Sequence, residues 1–267
     1  MKKKFTILLL VVLIIAISGF IFSYRLLFAD NVSDNDTKKQ HVFFIHTGST
    51  YNNVIASLKE QHIIKNMETF KIVCKKLQYD ERVKPGRYII DNNTGNLFLV
   101  RKLRSGSQDP VRITFNNIQN KEQLAERIAV QIEASKEELL SAFNKQHFLD
   151  SLDLTEENFP TIFLANTYEF YWNTSAHQFI ERMLKEYNKF WTEKRRSKAQ
   201  AIGLSPTDVT ILASIIQKES THYDEYPVIA GVYLNRIKIG MPLQADPTVL
   251  YALKKLGVSR RVLNGDL

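Results

Sequence analysis

From Phe5 to Tyr24 the chain runs for twenty residues without a charge, FTILLLVVLIIAISGFIFSY. At about 1.5 Å per residue, a helix of that length crosses the ~30 Å hydrocarbon core of a bilayer. So long an apolar stretch commits the amino terminus to a membrane helix or to a secretion signal. A cleaved signal has an apolar region of ~7–15 residues followed by a small-x-small site. Here the run is longer, and Tyr24-Arg25-Leu26-Leu27-Phe28-Ala29 offers no such site. The reading is a retained, single-pass anchor. Lys2, Lys3 and Lys4 precede it, which places the amino terminus in the cytoplasm and the rest of the chain across the membrane.

Charge then loses most of its meaning. The formal net charge is +8. Lys2, Lys3, Lys4 and Arg25 stand in residues 1–28 without an acid, so only half of that excess belongs to the remaining chain. So mild a balance, with no accompanying motif, does not imply a nucleic-acid protein, and none is expected as a partner. It suits an anionic polymer or a membrane surface weakly. The single cysteine, Cys74 in FKIVCKKL, cannot form an internal disulfide and reads as a small core residue. The six histidines show no metal spacing, and no phosphate loop, nucleophile elbow or dinucleotide fingerprint occurs. No metal or cofactor is expected.

Beyond the anchor, residues 29–40 (ADNVSDNDTKKQ) are polar and read as a linker. HVFFIHTG (41–48) reads as a strand. Residues 49–64 follow as a helix with a Ser or Thr cap, and residues 65–77 as a second helix. GRYIID (86–91) is a strand introduced by Lys84-Pro85-Gly86, and NLFLVRKL (96–103) a third helix. VRITF (111–115) opens a second region as a strand. Amphipathic helices are expected over 120–132 and 135–143, the latter with a Ser135/Glu138 capping box. An aromatic cluster, FLANTYEFYW (163–172), precedes one long polar helix over 175–201.

The most informative residue is Glu219, in ILASIIQKES (211–220). Ser205, Pro206 and Asp208 start its helix as cap, first-turn proline and capping-box acid. Val209, Leu212, Ile215 and Ile216 form an apolar face that runs, at spacings of three and four, into Glu219. Two readings stand. A Glu near a helix end is ordinarily solvated or ion-paired. A carboxyl on a desolvated face instead suits a general acid near neutral pH. Helices over 226–241 and 243–253 follow, the latter with Asp246 as cap.

ILASIIQKES, VIAGVYLNRIKIGMPLQADPTVLYAL (228–253), NTYEFYW (166–172) and RRVLNGDL (260–267) together closely resemble the endolytic murein transglycosylase family, MltG or YceG-like proteins. The strand–helix–helix–strand order of the first unit likewise resembles a LysM-like glycan-binding module. The resemblance implies an α+β chain: cytoplasmic tip and transmembrane helix (1–28), linker (29–40), LysM-like βααβ domain (41–106) and a helix-rich mixed α/β catalytic domain (110–267). It implies a lyase that cuts peptidoglycan glycan strands at the β-1,4 bond between MurNAc and GlcNAc, leaving 1,6-anhydro-MurNAc ends. Glu219 takes the place of the catalytic acid. Asn235 and Gln244 fall in segments matching the family's site region, where they would bind sugar, with a structural hydrogen bond or a solvated side chain as the competing role. Tyr168 and Glu169 would line a sugar-binding groove, with core packing as theirs. Tyr171 and Trp172 share that ambiguity. The resemblance places the protein in a bacterial cytoplasmic membrane with its larger part outside, near peptidoglycan synthases.

Two departures accompany the match. The family carries a Gly and a Pro-Asp where this chain has FLANTYEF, and it continues past the position of Leu267, so the chain reads as a truncated member. Two other functions stay open: a non-catalytic glycan-binding scaffold, and a hydrolytic muramidase. The latter needs a second carboxylate, such as Asp246 or Glu225, to activate water.

Overall fold

Helix α1 (Lys2–Phe28) carries the apolar run, and its large apolar side chains from Phe5 to Tyr24 stand exposed along the span Phe5–Phe28. In this computed structural model the described residues are 2–34, 39–116, 118, 120–144, 154–155, 158–255 and 257. They divide into two compact units: residues 1–140 with 166–176, and residues 141–165 with 177–267.

In the first unit, β1 (Gln40–Ile45) pairs antiparallel with β2 (Gly86–Asp91), from Gln40 opposite Asp91 to Ile45 opposite Gly86. Between them lie α2 (Tyr51–Glu60) and α3 (Met67–Lys76); α4 (Asn96–Ser105) follows. The helix starts obey local chemistry. The Thr50 hydroxyl and the Asn53 side chain form a capping box on α2, and the Asn66 side chain accepts from the Thr69 amide to cap α3. Gly106, at φ +74°, ends α4 in the left-handed conformation that favours glycine. Inward-facing Phe43, Ile45, Tyr88 and Ile90 of the strands meet Leu58, Phe70, Val73, Cys74, Leu99 and Leu103 of the helices in one core.

Residues 29–34 depart from the expected linker. Val32 is fully buried in that core, and bridges join Asp30 to Gly95 and Val32 to Ile64. The reason is a polar cluster built on two buried asparagines. Asn31 Nδ2 donates to Asn96 Oδ1 (2.6 Å) and to the Asn66 carbonyl (2.9 Å), while Asn31 Oδ1 accepts from the Asn66 amide (2.7 Å). Asn96 Nδ2 reaches the Leu26 carbonyl in the last turn of α1 (2.9 Å). Gly95 allows the close approach: a Cβ there would stand 2.9 Å from the Phe28 carbonyl oxygen. The carboxyl end of α1 thus meets the amino end of α4, a favourable meeting of opposite partial charges. Asn96→Ala strands the Leu26 carbonyl and half of the Asn31 amide. A loss of about 1–3 kcal/mol is expected in denaturant unfolding; an unchanged midpoint would remove the cluster's structural role.

Burial also sets an alkaline limit. It pushes the Cys74 thiol and the Tyr88 hydroxyl each up to about 12, from 9.0 and 10.0. Both groups ionise earlier in the unfolded chain, so their stability contribution is complete below about pH 9. It is then lost as pH rises toward 12. Unfolding free energy measured from pH 8 upward is expected to fall from about pH 9; a flat profile to pH 11 would contradict this account.

The first unit also holds β3 (Val111–Phe115) and β4 (Asn166–Phe170), paired antiparallel with Ile113 opposite Tyr168, and α5 (Lys121–Ala129). The expected aromatic cluster therefore contains a strand, its buried Tyr168 and Phe170 alternating with exposed neighbours. The expected Ser135/Glu138 capping box is present at α6 (Lys136–Phe143).

In the second unit the expected long helix is two, α7 (Ala176–Phe190) and α8 (Glu193–Ala201). Thr192 divides them: in extended conformation, its side chain caps α8 at the Arg195 amide. Then come α9 (Pro206–Glu219), α10 (Tyr226–Lys238) and α11 (Asp246–Lys255), which begins three residues later than expected. The segment 260–267 lies outside the described residues.

Candidate active site

Helix α9 is fixed at its start. The Ser205 amide and hydroxyl donate to Asp208 Oδ2 (2.9 and 2.6 Å), and Ser205 Oγ accepts from the Asp208 amide (3.1 Å). Those donors hold the Asp208 carboxyl below its usual range, hydroxyl first. Pro206 occupies the first turn, where no amide is missed. Leu212, Ile215 and Ile216 are then buried with Tyr233 and Ala245, and Leu204, Tyr226, Ile229, Leu234 and Leu243 pack around them. This cluster holds α9, α10 and the start of α11 as one body.

Glu219 follows as the last residue of α9, in register with the buried stripe. It is exposed, so the desolvated setting expected for it is absent; its surroundings are polar instead. The hydroxyl of buried Tyr233, on α10, donates to Glu219 Oε1 at 2.6 Å. No other hydrogen bond or ion pair engages Glu219 among the described residues. Burial, with the Glu219 carboxylate adding to it, pushes the Tyr233 hydroxyl up to about 12. Tyr233 is therefore a neutral donor throughout the neutral range. An exposed carboxylate with one oxygen held by a donor can exchange a proton with a bound molecule in a defined direction.

The turn after Glu219 is ordered by its own polar groups. Ser220 Oγ donates to Glu225 Oε2 (2.5 Å) and accepts from the His222 amide (3.0 Å). Glu225 is thereby tied to the segment joining α9 and α10. Arg236 braces the next loop: its Nη1 donates to the carbonyls of Leu243 (2.6 Å) and Pro242 (3.3 Å). Gln244 follows, exposed, at φ +49°, a conformation uncommon for a side chain with a Cβ. Backbone of this kind persists where the surroundings hold it, and Arg236 anchors the two residues before Gln244.

The other predicted residues are distributed. Asn235 is exposed on α10, two residues beyond Tyr233, and about 200° further round the helix. It projects from a different face than the one meeting Glu219. Tyr168 and Glu169 belong to β4 in the first unit. Tyr168 is 7% exposed, and its ring stacks on Phe115 at 5.3 Å between centroids, a packing role. Glu169 is exposed and lies opposite Arg112 in the strand register. Sequence reasoning missed Tyr233 and Arg236. The signal for Tyr233 was its place on the apolar face of α10; nothing in the sequence marked its hydroxyl. Among the described residues no group of three His, Cys, Asp or Glu gathers to hold a metal.

A model of the YceG-like family matches residues 43–267. An endolytic murein transglycosylase of Bacillus subtilis (strain 168) is 28% identical over 254 residues, covering 88% of this chain and 68% of that protein. An endolytic murein transglycosylase of Streptococcus pneumoniae serotype 2 (strain D39 / NCTC 7466) is 24% identical over 283 residues, covering 96% of this chain. The chain spans about half the length of that streptococcal relative, 51%. The crystal structure of a yceG-like protein from Listeria monocytogenes superimposes with a TM-score of 0.50 at 24% identity, over 85% of this chain and 79% of the other, a likeness of fold.

Proposed function

This chain belongs to the YceG-like family, and on that premise we propose that it is a membrane-anchored endolytic lytic transglycosylase acting on peptidoglycan. The observation that carries the reading is Glu219 at the end of α9, its Oε1 held by the Tyr233 hydroxyl. The relatives' names supply the substrate class.

Glu219 serves both proton transfers. Protonated, it gives its proton to the glycosidic oxygen as the bond from the MurNAc anomeric carbon breaks through an oxocarbenium-like state. The primary hydroxyl of the same sugar then attacks that carbon and closes the 1,6-anhydro ring. Its proton passes to the Glu219 carboxylate, which restores the starting acid. No water is consumed, so a single carboxyl suffices where hydrolytic glycosidases use two. Tyr233 keeps the carboxyl aimed in both steps. Gln244, on the loop braced by Arg236, is the sugar-contacting residue we favour. Asn235 in the second unit and, separately, Glu169 in the first are exposed polar candidates for sugar contact, whereas Tyr168 has no open ring face to offer.

The larger architecture is part of the proposal. Helix α1 spans the bacterial cytoplasmic membrane once, with Lys2 to Lys4 inside and the two units outside. Residues 41–106 serve as a LysM-like module, supported by their strand–helix–helix–strand order, and residues 110–267 as the catalytic domain. Work on nascent strands would place the protein near peptidoglycan synthases.

The test is digestion of purified peptidoglycan by the full chain, with products weighed by mass spectrometry. Anhydro-muramic ends are expected. Reducing ends would replace this reading with hydrolysis by Glu219 and a second carboxylate; glycan binding without cleavage would replace it with a scaffold.

A further inference from the structure

The junction of α1 and α4 presents aromatic rings to solvent in a way the core does not explain. Phe28, 40% exposed, lies in the last turn of α1, and Phe98, 59% exposed, in the first turn of α4; their rings meet edge to face at 6.2 Å. Tyr24, one turn earlier on α1, packs against Phe28 at 5.1 Å. A cleft of about 440 Å³ opens beside them, lined by Phe28, Phe98 and Leu99 together with Asp30, Asp91 and Lys102. Arg25 and Arg101 are exposed on the same two helices, Arg101 three residues past Phe98 and so on its side of α4.

Helix length assigns this patch a depth. The span Phe5–Phe28 has 24 residues, about 36 Å of helix against a hydrocarbon core of ~30 Å. Its last turn therefore emerges at headgroup level. Phe98 cannot drift from that level, because Asn96 bonds the Leu26 carbonyl and Gly95 closes on the carbonyl of Phe28. Aromatic rings flanked by cations, next to a cleft with both apolar and charged lining, match the chemistry of that layer.

We propose that the first turn of α4, with Phe98 at its centre, is a membrane-contacting element seated in the headgroup layer of the bilayer that α1 crosses. The inference rests on the reading of α1 as a membrane span. It adds a second, globular point of contact, so that the first unit lies on the lipid surface in a set orientation.

The test uses the full chain in vesicles of phosphatidylethanolamine and phosphatidylglycerol. In a Cys74→Ala background, nitroxide labels are placed singly at Phe98→Cys, at Ile14→Cys in mid-span and at Val130→Cys, which is 79% exposed. Collision rates with oxygen, which partitions into lipid, are compared with those of a water-soluble nickel chelate. The oxygen-to-nickel ratio at 98 is expected to be several-fold above that at 130 and below that at 14. A ratio at 98 equal to that at 130, with 14 still deep, overturns this inference and leaves the anchor intact. A water-like ratio at 14 overturns both. Phe98→Trp, with Cys74 in place, gives a parallel readout: the added fluorescence is quenched by brominated lipid, and absence of quenching counts against the proposal.

Discussion

Glu219→Gln is expected to lower glycan cleavage by about a thousandfold or more while leaving the fold in place. General acid–base catalysis contributes about 10²–10⁴-fold for one role, and the proposed mechanism gives one side chain both. The amide is nearly isosteric, and its oxygen still accepts from the Tyr233 hydroxyl that now meets Oε1 at 2.6 Å. Glu219 is exposed at the end of α9, so no buried charge is stranded by the change. The checks are the yield of anhydro-muramic products and the thermal midpoint of the same preparation. Full residual cleavage would sink the assignment of Glu219. Lost cleavage with a lowered midpoint would mean that the residue acts through folding.

Tyr233→Phe is expected to cost about 10- to 100-fold in kcat with KM little changed. A hydrogen bond to a charged group is worth about 1.5–3 kcal/mol, and each 1.36 kcal/mol is tenfold in rate. The ring stays in the cluster with Leu212, Ile215, Ile216 and Ala245, so packing is preserved. What is lost is the donor that fixes which way the carboxyl points. Unaltered kcat would show that Glu219 is aimed by something else. A rise in KM alone would make Tyr233 a substrate contact instead of a positioning residue.

Much of the scaffold around Glu219 was legible because it follows from local chemistry. Ser205, Pro206 and Asp208 announce the start of α9 by their side chains alone, and the three-four spacing of Leu212, Ile215 and Ile216 identifies the buried face. What that spacing does not report is where the burial stops. Glu219 continues the stripe, yet it is exposed, and the neighbouring helix supplies a hydroxyl at that level. Tyr233 itself looks like one more core aromatic in sequence. Its partner lies fourteen residues away, a pairing that only the packing of α10 against α9 creates.

The same limit explains the misjudged start of the segment after α1. Residues 29–40 are polar in composition, and polar composition ordinarily means solvation. Asn31 instead finds partners for its side chain within the fold, and Val32 fills a core position. Hydrogen-bond capacity that is met by distant groups cannot be read from the segment that carries it. The division of residues 175–201 into two helices at Thr192 was, by contrast, locally encoded, since threonine is a common cap.

The two asparagines have a consequence for how the protein is removed as well as how it is held. A protease must draw several residues of extended chain into its cleft, and exposed loop tips and chain ends are where such nicking concentrates. From Asn31 to Ser33 the backbone is instead engaged with Thr94, Ile63 and Lys65, so cutting there first requires the unit to open. Cleavage between Asn31 and Ser33 is thereby tied to opening of the first unit. A version begun at Gln40 would lack Val32 from its core and leave Asn96 without its Asn31 and Leu26 partners.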